Sequence, residues 1–135
     1  MNIKFNNGTA FEYLNGVETE EYFNGASRRT LTFHCSADAI GLDQLNALLS
    51  DEANTHSITL TGDVVEVMDA DGNATGETTQ AVNLCDGYVL KLKCGIENRL
   101  IAAETPDAAA VYEDRLVFKL GKRTYIEEQL KRLGL

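Results

Sequence analysis

The sequence contains no tryptophan, a single proline (Pro106) and only two histidines, His34 and His56. Each scarcity removes a class of function. Without tryptophan and with few other aromatics, the 21 acidic residues have no stacking platform for a sugar ring, which counts against paired carboxylates doing glycoside chemistry. Three cysteines, Cys35, Cys85 and Cys94, form an odd set without regular spacing. Such a set supports neither a disulfide framework nor a four-ligand zinc site, so all three are expected as free thiols. No run of about 18 apolar residues is present to cross a membrane as a helix. Nor does an apolar signal segment follow Met1, so folding in a cytoplasm is the expectation.

Positive charge is scarce in the first half. Residues 1–86 hold three bases (Lys4, Arg28 and Arg29) against 14 acids, whereas residues 87–135 hold nine bases against seven acids. A chain of net charge −9 repels phosphate backbones and anionic membrane surfaces, so neither nucleic acid nor membrane is an expected partner. The two-signed distribution favours head-to-tail contact between copies, against the simpler alternative of a solvated surface that keeps the domain soluble.

What is present is a pattern of strands and turns. Asn7-Gly8, Asn15-Gly16 and Asn24-Gly25 recur at short intervals between strand-like segments and read as the turns of a meander, because Asn and Gly tolerate the positive φ of type I′ hairpins. From Arg28 to Cys35 apolar residues alternate with polar ones, giving a half-buried strand with Leu31, Phe33 and Cys35 inward. Leu42, Leu45, Leu48 and Leu49 then fall at helical spacing, ended by a loop over Ser50–Asn54, and Ser57–Leu60 resumes strand character. An acidic hairpin spans 63–80 with its tip at Asp69–Asn73. Tyr88–Ile96 and Leu116–Leu120 alternate as strands around a small-residue loop over 102–110. At the C-terminus Ile126, Leu130 and Leu133 share a helical face, with Glu127/Lys131 and Glu128/Arg132 as i,i+4 pairs.

These segments predict one α+β domain over 1–135, mainly antiparallel β in a sandwich or partly open barrel. It carries one short helix at about 42–50 and a short C-terminal helix. The 21 residues from Ser36 to His56 are also long enough for a parallel crossover, the second choice.

Motif by motif, the chemistry falls away. No Gly-x-Ser-x-Gly elbow accompanies the histidines, and His34 and Cys35, as strand neighbours, point to opposite faces. Counting from Asp69, the EF-hand positions that require Gly and Glu hold Ala74 and Gln80, so the tip reads as a turn. Gly121-Lys122-Arg123-Thr124 lacks the upstream glycine and the final hydroxyl order of a phosphate loop. Asn7-Gly8-Thr9 and Asn73-Ala74-Thr75 match the glycosylation sequon, which carries no weight without a secretory signal. No catalytic, cofactor-binding or metal-ligating residue is assigned, and no cofactor is expected. Candidate protein-contact residues are Arg28 and Arg29, a guanidinium pair suited to clamping a carboxylate on a neighbour, and Asp69 and Asp71 at the hairpin tip. The competing reading of the arginine pair is neutralisation of Glu20 and Glu21 within the chain.

The run Arg29–Phe33, followed by Leu42–Asp51 and Asn54–Leu60, resembles small phage or prophage tail-associated structural proteins of Gram-positive bacteria. Phe5–Thr9 and Glu113–Leu116 fit the same picture, and the acidic stretch 63–80 departs from it. The resemblance implies a non-enzymatic tail or baseplate component that assembles with other virion proteins or with itself as an oligomer. It would lie in the bacterial cytoplasm during assembly and afterwards in the virion. The alternatives are a small ligand-binding module, with the 63–80 hairpin and the 102–110 loop lining a cleft, and a carboxylate-dependent hydrolase.

Overall fold

A computed structural model describes all of residues 1–135. In chain order the elements are β1 (Asn2–Lys4), β2 (Ala10–Glu12), β3 (Asn15–Phe23), β4 (Ala26–Ser36), α1 (Leu42–Ser50), α2 (Glu52–Thr55) and β5 (Ser57–Thr61). They continue with β6 (Val65–Met68), β7 (Ala74–Thr79), β8 (Val82–Asp86), β9 (Leu90–Ala102), β10 (Val111–Gly121) and α3 (Tyr125–Arg132). One sheet has the order β2-β1-β5-β8, a second has the order β3-β4-β10-β9, and β6 and β7 pair only with each other. All strand pairings are antiparallel. The result is an α+β antiparallel sandwich with short helices and no closed barrel. The parallel crossover does not form, because β4 and β5 lie in different sheets.

The two sheets meet through aromatic rings. Phe5 and Phe11 from the first sheet reach Phe118 of the second at centroid distances of 6.5 and 6.2 Å, and Phe118 stacks on Phe33 at 5.0 Å. Tyr13 meets Phe33 edge-on at 5.4 Å, in the offset geometry that ring quadrupoles favour. Leu45, Leu48 and Leu49 of α1 join this cluster as their spacing predicts, and Cys35 lies within it as a small apolar residue. Two stretches, residues 59–87 and 90–115, contribute no fully buried residue at all. They are held by ladder hydrogen bonds and partial packing rather than by the core.

Local chemistry explains where the chain turns. Phe23 pairs with Ala26, leaving Asn24 (φ 50°) and Gly25 (φ 83°) as a two-residue type I′ loop. Asn7-Gly8 lies within the longer β1–β2 connection. Asn15-Gly16, by contrast, is no turn but the start of β3, and the chain passes there from the first sheet to the second, so the meander divides into two separate hairpins. Glycine is needed at 16 because a Cβ would come 3.1 Å from the Phe33 ring. The expected loop after α1 instead forms the short α2, whose first turn is capped by the Asp51 carboxylate accepting from the Ala53 N–H at 3.0 Å.

Candidate functional site

Of the four candidate contact residues, Arg28 is withdrawn from any partner. Its side chain is 1 % exposed and saturated within the chain. Nε and Nη2 donate to the Phe23 carbonyl at 3.1 and 2.8 Å, and Nη1 donates to the Lys122 carbonyl at 2.9 Å. Nη1 and Nη2 also reach the two Glu127 carboxylate oxygens at 2.7 and 3.3 Å. Arg29 stays exposed and pairs with Glu18 at 3.0 Å. The acids that neutralise the pair are therefore Glu127 and Glu18, not Glu20 and Glu21. At the acidic tip, Asp69 accepts from the Asp71 and Asn73 backbone N–H groups, both at 2.9 Å, and so shapes the turn. That leaves Arg29, exposed but already paired with Glu18, and Asp71, also exposed at the surface.

Arg28 belongs to a larger device that fastens α3. Glu127 completes a capping box with Thr124, accepting from the Thr124 N–H at 2.8 Å while its own N–H donates to the Thr124 hydroxyl. The Arg28 guanidinium, with help from the Thr124 N–H, holds the Glu127 carboxyl down at about 2. A second anchor is Glu52 of α2, which takes a bidentate pair from Arg123 at 2.5 and 2.6 Å and is also bonded by Lys131. The Arg123 hydrogen bonds, ahead of those from Lys131, bring the Glu52 carboxyl to about 2. The i,i+4 pairs expected on the helix do not form: Glu127 and Lys131 are taken by these long-range partners, and Glu128 lies 3.7 Å from Arg123 instead of pairing with Arg132. Gly121, the last residue of β10, is tightly enclosed: a Cβ there would sit 2.8 Å from Leu92 Cδ1 and 3.0 Å from Arg28 Cδ. So α3 is tied down by charge, and its apolar residues Tyr125, Ile126 and Leu133 remain largely exposed, with Leu130 less so.

No family model, curated protein or solved structure matches the chain.

The cavities carry little convergent chemistry. The largest, about 570 Å³, is bounded by the Glu52–Arg123–Lys131 cluster with His56, Asp86 and Glu128. Its central carboxylate is pinned by cations, which is the reverse of the raised pKa that a general acid needs. The Glu97 carboxyl is also lowered, chiefly by its Lys93 hydrogen bond. The expected cleft between the 63–80 hairpin and the 102–110 loop is absent: no cavity is lined by residues 64–80 or 102–110. His34 and Cys35 do diverge, with Cys35 in the core and His34 in a small surface depression beside Arg99 and Arg115. No group of three or more His, Cys, Asp or Glu side chains is arranged to hold a metal ion, and no helix is long and apolar enough to cross a membrane.

The unexplained surface is apolar. Beyond Arg115, where β4 stops pairing with β10, the β9–β10 hairpin continues alone. Leu116 lies opposite Ile96 and Tyr112 opposite Leu100, so Ile96, Leu100 and Tyr112 extend the face that carries Leu116 and Phe118 in the core. All three are more than half exposed. The β6–β7 ribbon is a second unsupported hairpin, with Val64, Val65 and Met68 also more than half exposed. Sequence alternation located Tyr88–Ile96 and Leu116–Leu120 but not their continuation through Leu100 and Tyr112, nor could it reveal that the sandwich ends before the hairpin does.

Proposed function

We propose that this chain is a non-enzymatic structural protein that works by protein–protein assembly, as a tail- or baseplate-associated component of a phage or prophage particle. The observation that carries the assembly reading is the overhanging face of Leu100 and Tyr112, continuous with the exposed Ile96 at the end of the core row. A two-stranded ribbon is marginally stable in water by itself, and a core-type face prolonged past its own core gains stability only when another surface covers it. Burying a side chain of the Leu class contributes about 1.5–3 kcal/mol, so Leu100 and Tyr112 together supply a workable centre for an interface. The charge-fastened α3, with its apolar residues outward, is a further surface of the same kind. The phage setting rests on the resemblance of residues 29–33, 42–51 and 54–60.

A Leu100→Ser, Tyr112→Ser double variant, co-expressed with the products of the flanking genes, tests the reading. The expected result is an unfolding free energy within about 0.5 kcal/mol of the parent, with loss of the complex seen by native mass spectrometry. A complex that persists, or a large loss of stability in the isolated chain, would refute it. Flanking genes with no virion component among them would remove the phage setting.

A further inference from the structure

The second sheet ends in two edge strands, β3 and β9, the latter with α1 packed against it, and they are oppositely charged. β3 carries Glu18, Glu20 and Glu21 with no base of its own, Glu18 pairing with Arg29 and Glu21 with Lys119 of neighbouring strands, while β9 carries Lys91, Lys93 and Arg99 with a single acid, Glu97, which Lys93 and Arg99 share. No hydrogen bond from outside the sheet reaches the outward backbone groups of β9 or of β3 between Asn15 and Tyr22. Edge strands are commonly protected by charge, which works between copies when both edges share a sign. Opposite signs on the two ends of one sheet give no such protection. They attract.

We infer that β9 of one copy pairs antiparallel with β3 of a second copy, continuing the sheet from subunit to subunit. The inference rests on the assembly reading above and names the partner. Strand direction permits it without any inversion. Because each neighbour in β3-β4-β10-β9 is antiparallel to the last, β3 and β9 run in opposite directions, so a copy displaced along the sheet sets its β9 antiparallel to β3. Register supports it as well. Glu18 lies opposite Leu31, Leu31 opposite Leu120 and Leu120 opposite Lys91, one row across all four strands. An unslipped junction therefore sets Lys91 of one copy directly against Glu18 of the next, and a two-residue stagger sets it against Glu20. All three side chains lie on the core side of the sheet. Lys91 meets only Asn46 and Ser50, with no carboxylate, and Glu20 meets only the Ser27 hydroxyl, whereas Glu18 already pairs with Arg29 at 3.0 Å, which favours the staggered Lys91–Glu20 junction.

Apolar surface waits at the same junction. The gap between the two sheets opens beside β3 as a cavity of about 490 Å³ bounded by Gly16, Leu31, Phe33 and Leu84, and Leu84 is 70 % exposed. A copy seated on β3 would cover that mouth. The contact joins two different surfaces, so it propagates head to tail and closes as a ring or extends as a filament, according to the rotation between copies.

The test uses two full-length variants, Glu18→Lys/Glu20→Lys with both edges basic and Lys91→Glu/Lys93→Glu with both edges acidic. Sedimentation of the parent up to about 1 mM should show association that weakens at about 1 M salt, where the screening length falls to about 3 Å. Each variant alone should associate at least about tenfold more weakly, and an equimolar mixture should recover association, because every junction then joins unlike edges. Circular dichroism establishes that each variant folds; if the β9 variant does not, the β3 variant and the salt series still decide. A parent that stays monomeric throughout overturns the inference and leaves the assembly reading to its own test with flanking gene products. Association that ignores both reversals also overturns it, and assigns self-contact to the overhanging hairpin instead.

Discussion

Removing the Arg28 guanidinium should cost about 3–5 kcal/mol, the range for leaving a buried ion pair half-made. That group donates five hydrogen bonds, three to two backbone carbonyls and two to the Glu127 carboxylate. At about 1.5–3 kcal/mol for a charge-assisted contact to each of the three acceptors, the additive sum starts near the top of that range and runs past it. Glu127 is 31 % exposed and can rehydrate, which brings the net cost back into it. Against a total stability on the order of 7–20 kcal/mol for a chain of this length, the Arg28→Ala loss is large. Urea unfolding followed by circular dichroism measures it. The native baseline should also lose helix, since a helix of eight residues does not persist once released. Arg28→Lys, which keeps the charge but not the fork, should lose about half as much. Glu127→Gln should lose about 1–2 kcal/mol because one oxygen still accepts, and the Arg28/Glu127 cycle should show coupling of at least about 1 kcal/mol. An Arg28→Ala cost below about 1 kcal/mol, with α3 intact, would refute the idea that charge holds this helix down.

Gly121→Ala should destabilise by about 1–3 kcal/mol through collision with Leu92 and the fixed Arg28 stem, as read by the urea midpoint, and the Arg28→Ala background should relieve part of it. Glu52 and Glu127 ionise near 2 in the folded chain against an ordinary 4.5, so their stabilisation is full above about 4.5 and is lost as pH falls toward about 2. A pH series of unfolding free energies should show that fall, flattened in Glu127→Gln. Burial pushes the Cys35 thiol up to about 12, so a thiol reagent at neutral pH should label Cys35 only after denaturation, with peptide mapping to separate it from the half-buried Cys85 and Cys94.

How much of this was legible in the sequence depended on how local the cause is. The leucine spacing of α1 and the alternation of β4 and β10 are written in neighbouring residues, and Asn24-Gly25 carries its turn in its own dihedral preferences, whereas the alternation of β9 breaks at a register shift between Lys93 and Lys91 that sets Lys91 opposite Leu120 on the core side. Asn15-Gly16 misled for a physical reason: that glycine makes room for the Phe33 ring, which lies across a strand pair, rather than reversing the chain. Sheet membership was likewise illegible, because a period of two says which side is buried but not which sheet a strand joins. The Arg28–Glu127 anchor spans 99 residues and leaves no local sign in either segment. The opposite charges of β3 and β9 were visible in the composition, but only strand order shows that they occupy the two ends of one sheet.

Hydrogen exchange along the β9–β10 hairpin, compared between dilute and assembled protein, bears most directly on the claim that this chain acts through contact with other proteins. In dilute protein, amides of residues 96–102 and 111–114 should exchange fast while those of β4 and the core part of β10 exchange slowly. In the assembly the hairpin should become protected, with the core amides unchanged. A hairpin as slow as β4 in dilute protein, or equally fast in both states, would contradict the account.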